Sequence, residues 1–141
     1  FKIIISNQSD LEMPFSFGLH PYFSISDFES IKVTGLGDLC INHLTDYESN
    51  VEEQLEKISQ GVDFQTGPSK LVRIYNRNDN SSIELHQQAP FDLNVVWSDP
   101  PRSMICIEPW TSPRGSLHSG ARPIILRPLS TKKLDFRIVS R

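Results

Sequence analysis

An antiparallel β-sandwich is the fold class this sequence predicts, and three observations predict it. Turn-forming residues recur every eight to twelve positions, at 7–10, 21, 35–38, 67–68, 76–80, 99–101, 112–115 and 119–120. The runs between them are short and rich in Ile, Val, Phe and Leu, which suit a pleated, half-buried surface. Two runs also alternate with period two. In 13–23, MPFSFGLHPYF, Phe15, Phe17 and Leu19 share one face while Ser16, Gly18 and His20 share the other. In 104–115, MICIEPWTSPRG, Ile105 and Ile107 oppose Cys106, Glu108 and Trp110.

Taken in order, the elements follow from these signals. FKIII opens as an apolar strand run with no lead-in turn and no methionine, so the chain is expected to be part of something longer. Segment 13–20 reads as a strand that ends at His20, where Pro21 fixes the backbone. SNVEEQLEKIS places Val51, Leu55 and Ile58 at helical spacing, and Ser49 with Glu52 three residues on predicts a capping box for one short helix. GVDFQTG, 61–67, sets Asp63 between Val62 and Phe64. RNDNSS between VRIY and SIELH predicts a hairpin turn. No repeat, low-complexity tract or linker divides the chain, so residues 1–141 form a single domain or a part of one.

Composition narrows the function classes. A chain of 141 residues with 38% hydrophobic and 22% charged residues can bury a core and is not disordered. Fourteen basic against 17 acidic residues, with no basic run, argue against a nucleic-acid partner. Arg122 to Lys133, the most basic stretch, alternates with apolar residues as ordinary strand surface does. No run reaches the length of a membrane span, and FKIII is too short for a signal-peptide core. Cys40 and Cys106 match no metal or redox spacing and read as reduced thiols, Cys106 buried, in a cytoplasmic protein.

Three polar residues stand opposite apolar neighbours and so qualify as site candidates: His20, Asp63 and Glu108. Glu108 and Trp110 on one strand face suit a sugar, the indole meeting its C–H face and the carboxylate accepting its hydroxyls. Each also has a bland reading: a turn histidine, an aspartate bonded to a turn backbone, a salt-bridged glutamate, a core tryptophan. His43, His86 and His118 have no carboxylate or cysteine at a useful spacing and read as surface or loop residues. GDLCINH is not a zinc motif, and no nucleophile elbow or phosphate loop is present.

MPFSFGLHPYF, GVDF and ICIEPWTSP, in that order and spacing, resemble the aldose 1-epimerase (galactose mutarotase) family, in its bacterial mutarotase-like branch. HPYF and EPWT carry the likeness most specifically. The resemblance covers nearly the whole chain but about the C-terminal half of the family's β-sandwich, whose concave sheet face holds the sugar. It implies that His20 is the general acid toward the ring oxygen and Glu108 the general base on the anomeric hydroxyl. It further implies that Asp63 holds sugar hydroxyls, with Trp110 beside Glu108 against the sugar. The family's second histidine and arginine would lie in the other half. Anomer exchange by such an acid and base, set apart across the sugar, needs no metal or cofactor. Ser16 and Gly18 are expected to leave room for a monosaccharide or sugar phosphate; a phosphate would need Arg114 or Arg102 at the rim. A sugar-binding module without catalysis is the alternative, and exposed sheet edges predict self-association.

Overall fold

A computed structural model describes residues 1–141. Along the chain run β1 (Lys2–Ser6), β2 (Met13–Phe15), β3 (Tyr22–Ser24), β4 (Ile31–Thr34), β5 (Leu39–Asn42) and β6 (Tyr47–Asn50). Then come α1 (Val51–Glu56), a 3-10 turn at Ile58–Gln60, β7 (Val62–Thr66), β8 (Leu71–Asn76) and β9 (Ser82–Gln87). The chain closes with β10 (Leu93–Ser98), β11 (Met104–Trp110), α2 (Ser116–Ser119), β12 (Ile124–Leu126) and β13 (Thr131–Ser140). Strands β1-β13-β9-β8-β4 form one sheet, β3-β11-β10-β7-β5-β6 a second, and β12-β2 a small ribbon. Every pairing is antiparallel.

The two large sheets close over one core, as the turn spacing and alternation predict. Val72, Ile74, Leu85, Leu134 and Phe136 come from the first sheet and Val62, Phe64, Val96, Ile105 and Ile107 from the second. Alternation then sends Asp63, Trp97, Cys106 and Glu108 to the opposite face of the second sheet. The register aligns them. Tyr22 pairs with Cys106, Cys106 with Trp97, and Trp97 with Asp63, so one row of side chains crosses four strands. A row away, Glu108 pairs with Val95 and Val95 with Gln65.

Three expectations need correction. Segment 13–20 keeps its two faces but is not one strand: β2 pairs with β12, whereas residues 17–19 cross to the end of β11. Thr111 N–H donates to Phe17 C=O at 2.9 Å and Leu19 N–H to Pro109 C=O at 3.1 Å. The helix begins at Val51 as the periodicity implies, but its cap is Asn50, whose Oδ1 accepts from Glu52 N–H at 2.8 Å. Ser49 is held in β6 opposite Cys40 and instead accepts from Gln54 Nε2 at 2.9 Å, which explains why a glutamine is buried on this helix. A second short helix, α2, was not foreseen; it starts and ends at glycines in the left-handed region, Gly115 and Gly120.

Candidate active site

Glu108 sits near the end of β11 with only 3% of its surface exposed. It is buried there because β11 lies between β3 and β10 and residues 17–19 pair along its end. Both oxygens are engaged. Oε1 lies 3.3 Å from His20 Nε2, and Oε2 accepts from Trp110 Nε1 at 3.1 Å. Burial raises the Glu108 carboxyl above its ordinary value, and the His20 charge and the Trp110 N–H oppose that rise. His20 is the open member of the pair, with 56% of its side chain exposed and edge contacts to Tyr22 and Trp97 at ring separations of 5.7 Å.

A cleft of about 390 Å³ opens over this pair, lined among others by Ser16, Gly18, His20, Glu108, Trp110 and Arg114. The structure thus brings His20, Glu108 and Trp110 together, and sets Asp63 at the edge. Asp63 does not line the cleft. Its Oδ1 lies 2.7 Å from His43 Nδ1 and its Oδ2 accepts from Arg114 Nη2 at 3.1 Å. Arg102 pairs with Asp99 at 2.8 Å and is not on the cleft.

Four readings made from the sequence change. His43 lies in the turn after β5, as read, but it is neither exposed nor unpartnered: its side chain is 7% exposed, bonded to Asp63 and stacked 6.5 Å from the Trp110 ring. Pairing of β5 with β7 places it there, a contact between residues 20 apart that spacing does not reveal. His86, on β9, likewise has a carboxylate, Glu84, at 3.1 Å. Ser16 and Gly18 do line the cleft, but the side-chain position of Gly18 is filled: a Cβ there would lie 2.7 Å from Trp110 Cδ1, so the glycine also admits the indole. Finally, His20 and Glu108 touch rather than stand apart. Trp97, whose ring stands edge-on to His20, was missed because the sequence gives no register between β10 and β11.

Both cysteines are free and buried. Cys106 Sγ, a His20 ring nitrogen and a Glu108 carboxylate oxygen lie within 4.8 Å of one another. Burial, with the Glu108 charge adding to it, pushes the Cys106 thiol up to about 12. No helix is long and apolar enough to cross a membrane.

The fold and the site together define a β-sandwich that presents a buried carboxylate and an exposed imidazole side by side in an indole-lined cleft. The chain belongs to the aldose 1-epimerase family, whose profile matches residues 1–138. It resembles the Slr1438 protein of Synechocystis sp. PCC 6803, with a TM-score of 0.87 and 25% identity over 97% of this chain and 49% of that one. A galactose mutarotase-like protein of Clostridium acetobutylicum shares the fold at a TM-score of 0.77 and 15% identity, over 99% of this chain and 52% of that one. A Haemophilus influenzae protein named "Putative glucose-6-phosphate 1-epimerase" is 31% identical over 81 residues, 57% of this chain and 29% of that protein. The chain therefore spans about half the length of these solved structures, and less of the Haemophilus protein.

Proposed function

We propose that the protein to which this chain belongs interconverts the α and β anomers of an aldose by acid–base opening of the ring, and that His20 and Glu108 carry it out. The observation that carries this reading is the 3.3 Å contact between His20 Nε2 and Glu108 Oε1 at the cleft floor. The ring oxygen and the anomeric hydroxyl are bonded to the same carbon, so an acid and a base serving them must be close neighbours. Glu108 takes the anomeric proton while His20 delivers one to the ring oxygen; the C–O bond of the ring breaks and a free aldehyde forms. Rotation about the adjacent C–C bond turns the carbonyl over, and closure reverses both transfers. Burial suits Glu108 to the role, because a carboxyl raised above its ordinary value is the stronger base. Trp110 offers its ring to the sugar's C–H face, and Asp63 acts on substrate hydroxyls through Arg114, which it holds at the cleft.

Magnetisation-exchange NMR between the anomers of glucose and galactose tests this. Glu108→Gln and His20→Asn should each lower exchange about a hundredfold or more in the intact protein. Unchanged rates there would refute it. Binding retained by those two variants but lost on Trp110 substitution, with no exchange in any, would instead identify a sugar-binding module.

A sugar phosphate is a second reading of the substrate, favoured by one observation. Arg114 lies on the cleft rim, 58% exposed and steadied by Asp63. The Haemophilus relative's name points the same way. Arg114→Gln should then weaken a hexose 6-phosphate and leave the free hexose unaffected.

A further inference from the structure

We infer that His20, Cys106 and Glu108 form a binding site for a soft or borderline divalent cation such as Zn²⁺, and that such a cation blocks the cleft. The inhibitory part rests on the acid–base reading above; the binding part does not.

The geometry is close to what tetrahedral zinc requires. With Zn–N and Zn–O bonds of about 2.0–2.1 Å, two donors on one ion stand about 3.3–3.4 Å apart. His20 Nε2 and Glu108 Oε1 are 3.3 Å apart without any ion. A thiolate sulfur at about 2.3 Å from the ion would sit roughly 3.6 Å from the other two donors. Cys106 Sγ is already within 4.8 Å of a ring nitrogen of His20 and a carboxylate oxygen of Glu108, so a side-chain adjustment of about 1 Å completes the face. The three come from two segments fixed by sheet pairing, Cys106 and Glu108 on β11 and His20 just before β3, which pairs with it. His20, 56% exposed, supplies the freedom to close.

Other features agree. Trp110 Nε1 holds the second carboxylate oxygen, the kind of outer contact that orients a metal-bound carboxylate. Two of the three donors, His20 and Glu108, line the cleft, so an ion bound to them would stand where a sugar must enter. The donor set of one nitrogen, one sulfur and one oxygen suits zinc or cobalt over magnesium or calcium, which take oxygen alone. On binding, the Cys106 S–H proton leaves to solvent and a sulfur–metal bond forms. An ion so placed occupies the lone pair of His20 Nε2 and an oxygen of Glu108, the two atoms the proposed proton transfers need.

Cobalt(II) titration of this chain, followed by absorption, reads the site without any enzymatic assay. A sulfur-to-cobalt charge-transfer band should appear with one equivalent, vanish in Cys106→Ser, and require at least tenfold more cobalt in His20→Asn, an exposed position whose change leaves the core alone. Zinc should displace the cobalt and bleach the band. Absence of the band, or its persistence in both variants through Cys40, would overturn the inference. In intact protein that shows anomer exchange, zinc should inhibit competitively with sugar, and undiminished exchange at saturating zinc would overturn the blocking role. A band in protein that shows no exchange would leave the cation site standing and remove the epimerase reading.

Discussion

Gly18→Ala is the sharpest perturbation of the site, because it adds one methyl group at a place already filled. The new Cβ would lie 2.7 Å from Trp110 Cδ1, 2.9 Å from Nε1 and 3.2 Å from Cγ. Carbon atoms in comfortable contact stand about 3.5–4.0 Å apart, so the indole edge must retreat by about 0.8 Å or more. That edge carries the N–H bonded to Glu108 Oε2 at 3.1 Å, already near the long end for N–H···O. The backbone has little slack to share the strain, since residues 17 and 19 are tied to 111 and 109 on either side. Overpacking of this kind costs about 1–3 kcal/mol, or roughly 3–12 °C in Tm for a domain of this size. A displacement approaching 1 Å beside the reacting groups should lower anomer exchange about tenfold to a hundredfold. Thermal melting and the indole N–H resonance of Trp110, told apart from Trp97 by a Trp97→Phe control, measure the effect directly. An unshifted indole resonance with unchanged Tm would refute the claim that this glycine exists to admit the ring.

The remaining predictions concern charge and edges. Anomer exchange should fall as pH drops through the Glu108 pKa, which burial places above the ordinary 4.5, because the base must be ionised. Trp110→Phe removes a donor that favours the carboxylate, so that acid limb should move to still higher pH; a limb that stays put would contradict the role given to the indole N–H. On the other sheet Glu84 is bonded to Arg73 at 2.7 Å and to His86, which with Arg141 nearby hold its carboxyl down to about 2. A depressed carboxyl lends stability above its unfolded pKa and loses it as pH falls. Tm should therefore drop between about pH 4.5 and 2 more steeply than in Glu84→Gln, as calorimetry across pH would show. Strand β1 has one neighbour only and exposes Ile4 at 64% and Phe1 at 69%, so the chain should self-associate and Ile4→Lys should reduce this in light scattering. A monomer at high concentration would count against it.

What the sequence disclosed was whatever depends on period and punctuation. Alternation in 104–110 assigned Ile105 and Ile107 to the core and Cys106, Glu108 and Trp110 to the other face, because a strand of any register obeys period two. The same rule separated Phe17 from Gly18 and His20. What it withheld depends on which strand lies beside which. Nothing local in LCINH says that His43 meets Asp63, and nothing in NVVWS says that Trp97 stands edge-on to His20. The use made of Gly18 was hidden for a similar reason, since an absent side chain does not reveal what fills the gap.

The register also explains why so much of a site is present in a chain about half the length of its solved relatives. Tyr22, Cys106, Trp97 and Asp63 come from β3, β11, β10 and β7, four strands adjacent in space though spread over 85 positions, and His43 follows from β5. All five strands belong to one sheet whose inner face is buried by the other sheet of the same chain. The placement of Glu108 and Trp110 is thus fixed within the chain, by the pairing of β11 with β10 and by residues 17–19 bonded along its end. A second half, where present, would act on the open side of the cleft, where His20 and Arg114 remain more than half exposed. It would then contribute mainly to holding the sugar. Loss of that half should accordingly raise KM more than it lowers kcat, whereas a site whose chemistry resided in the other half would lose kcat outright.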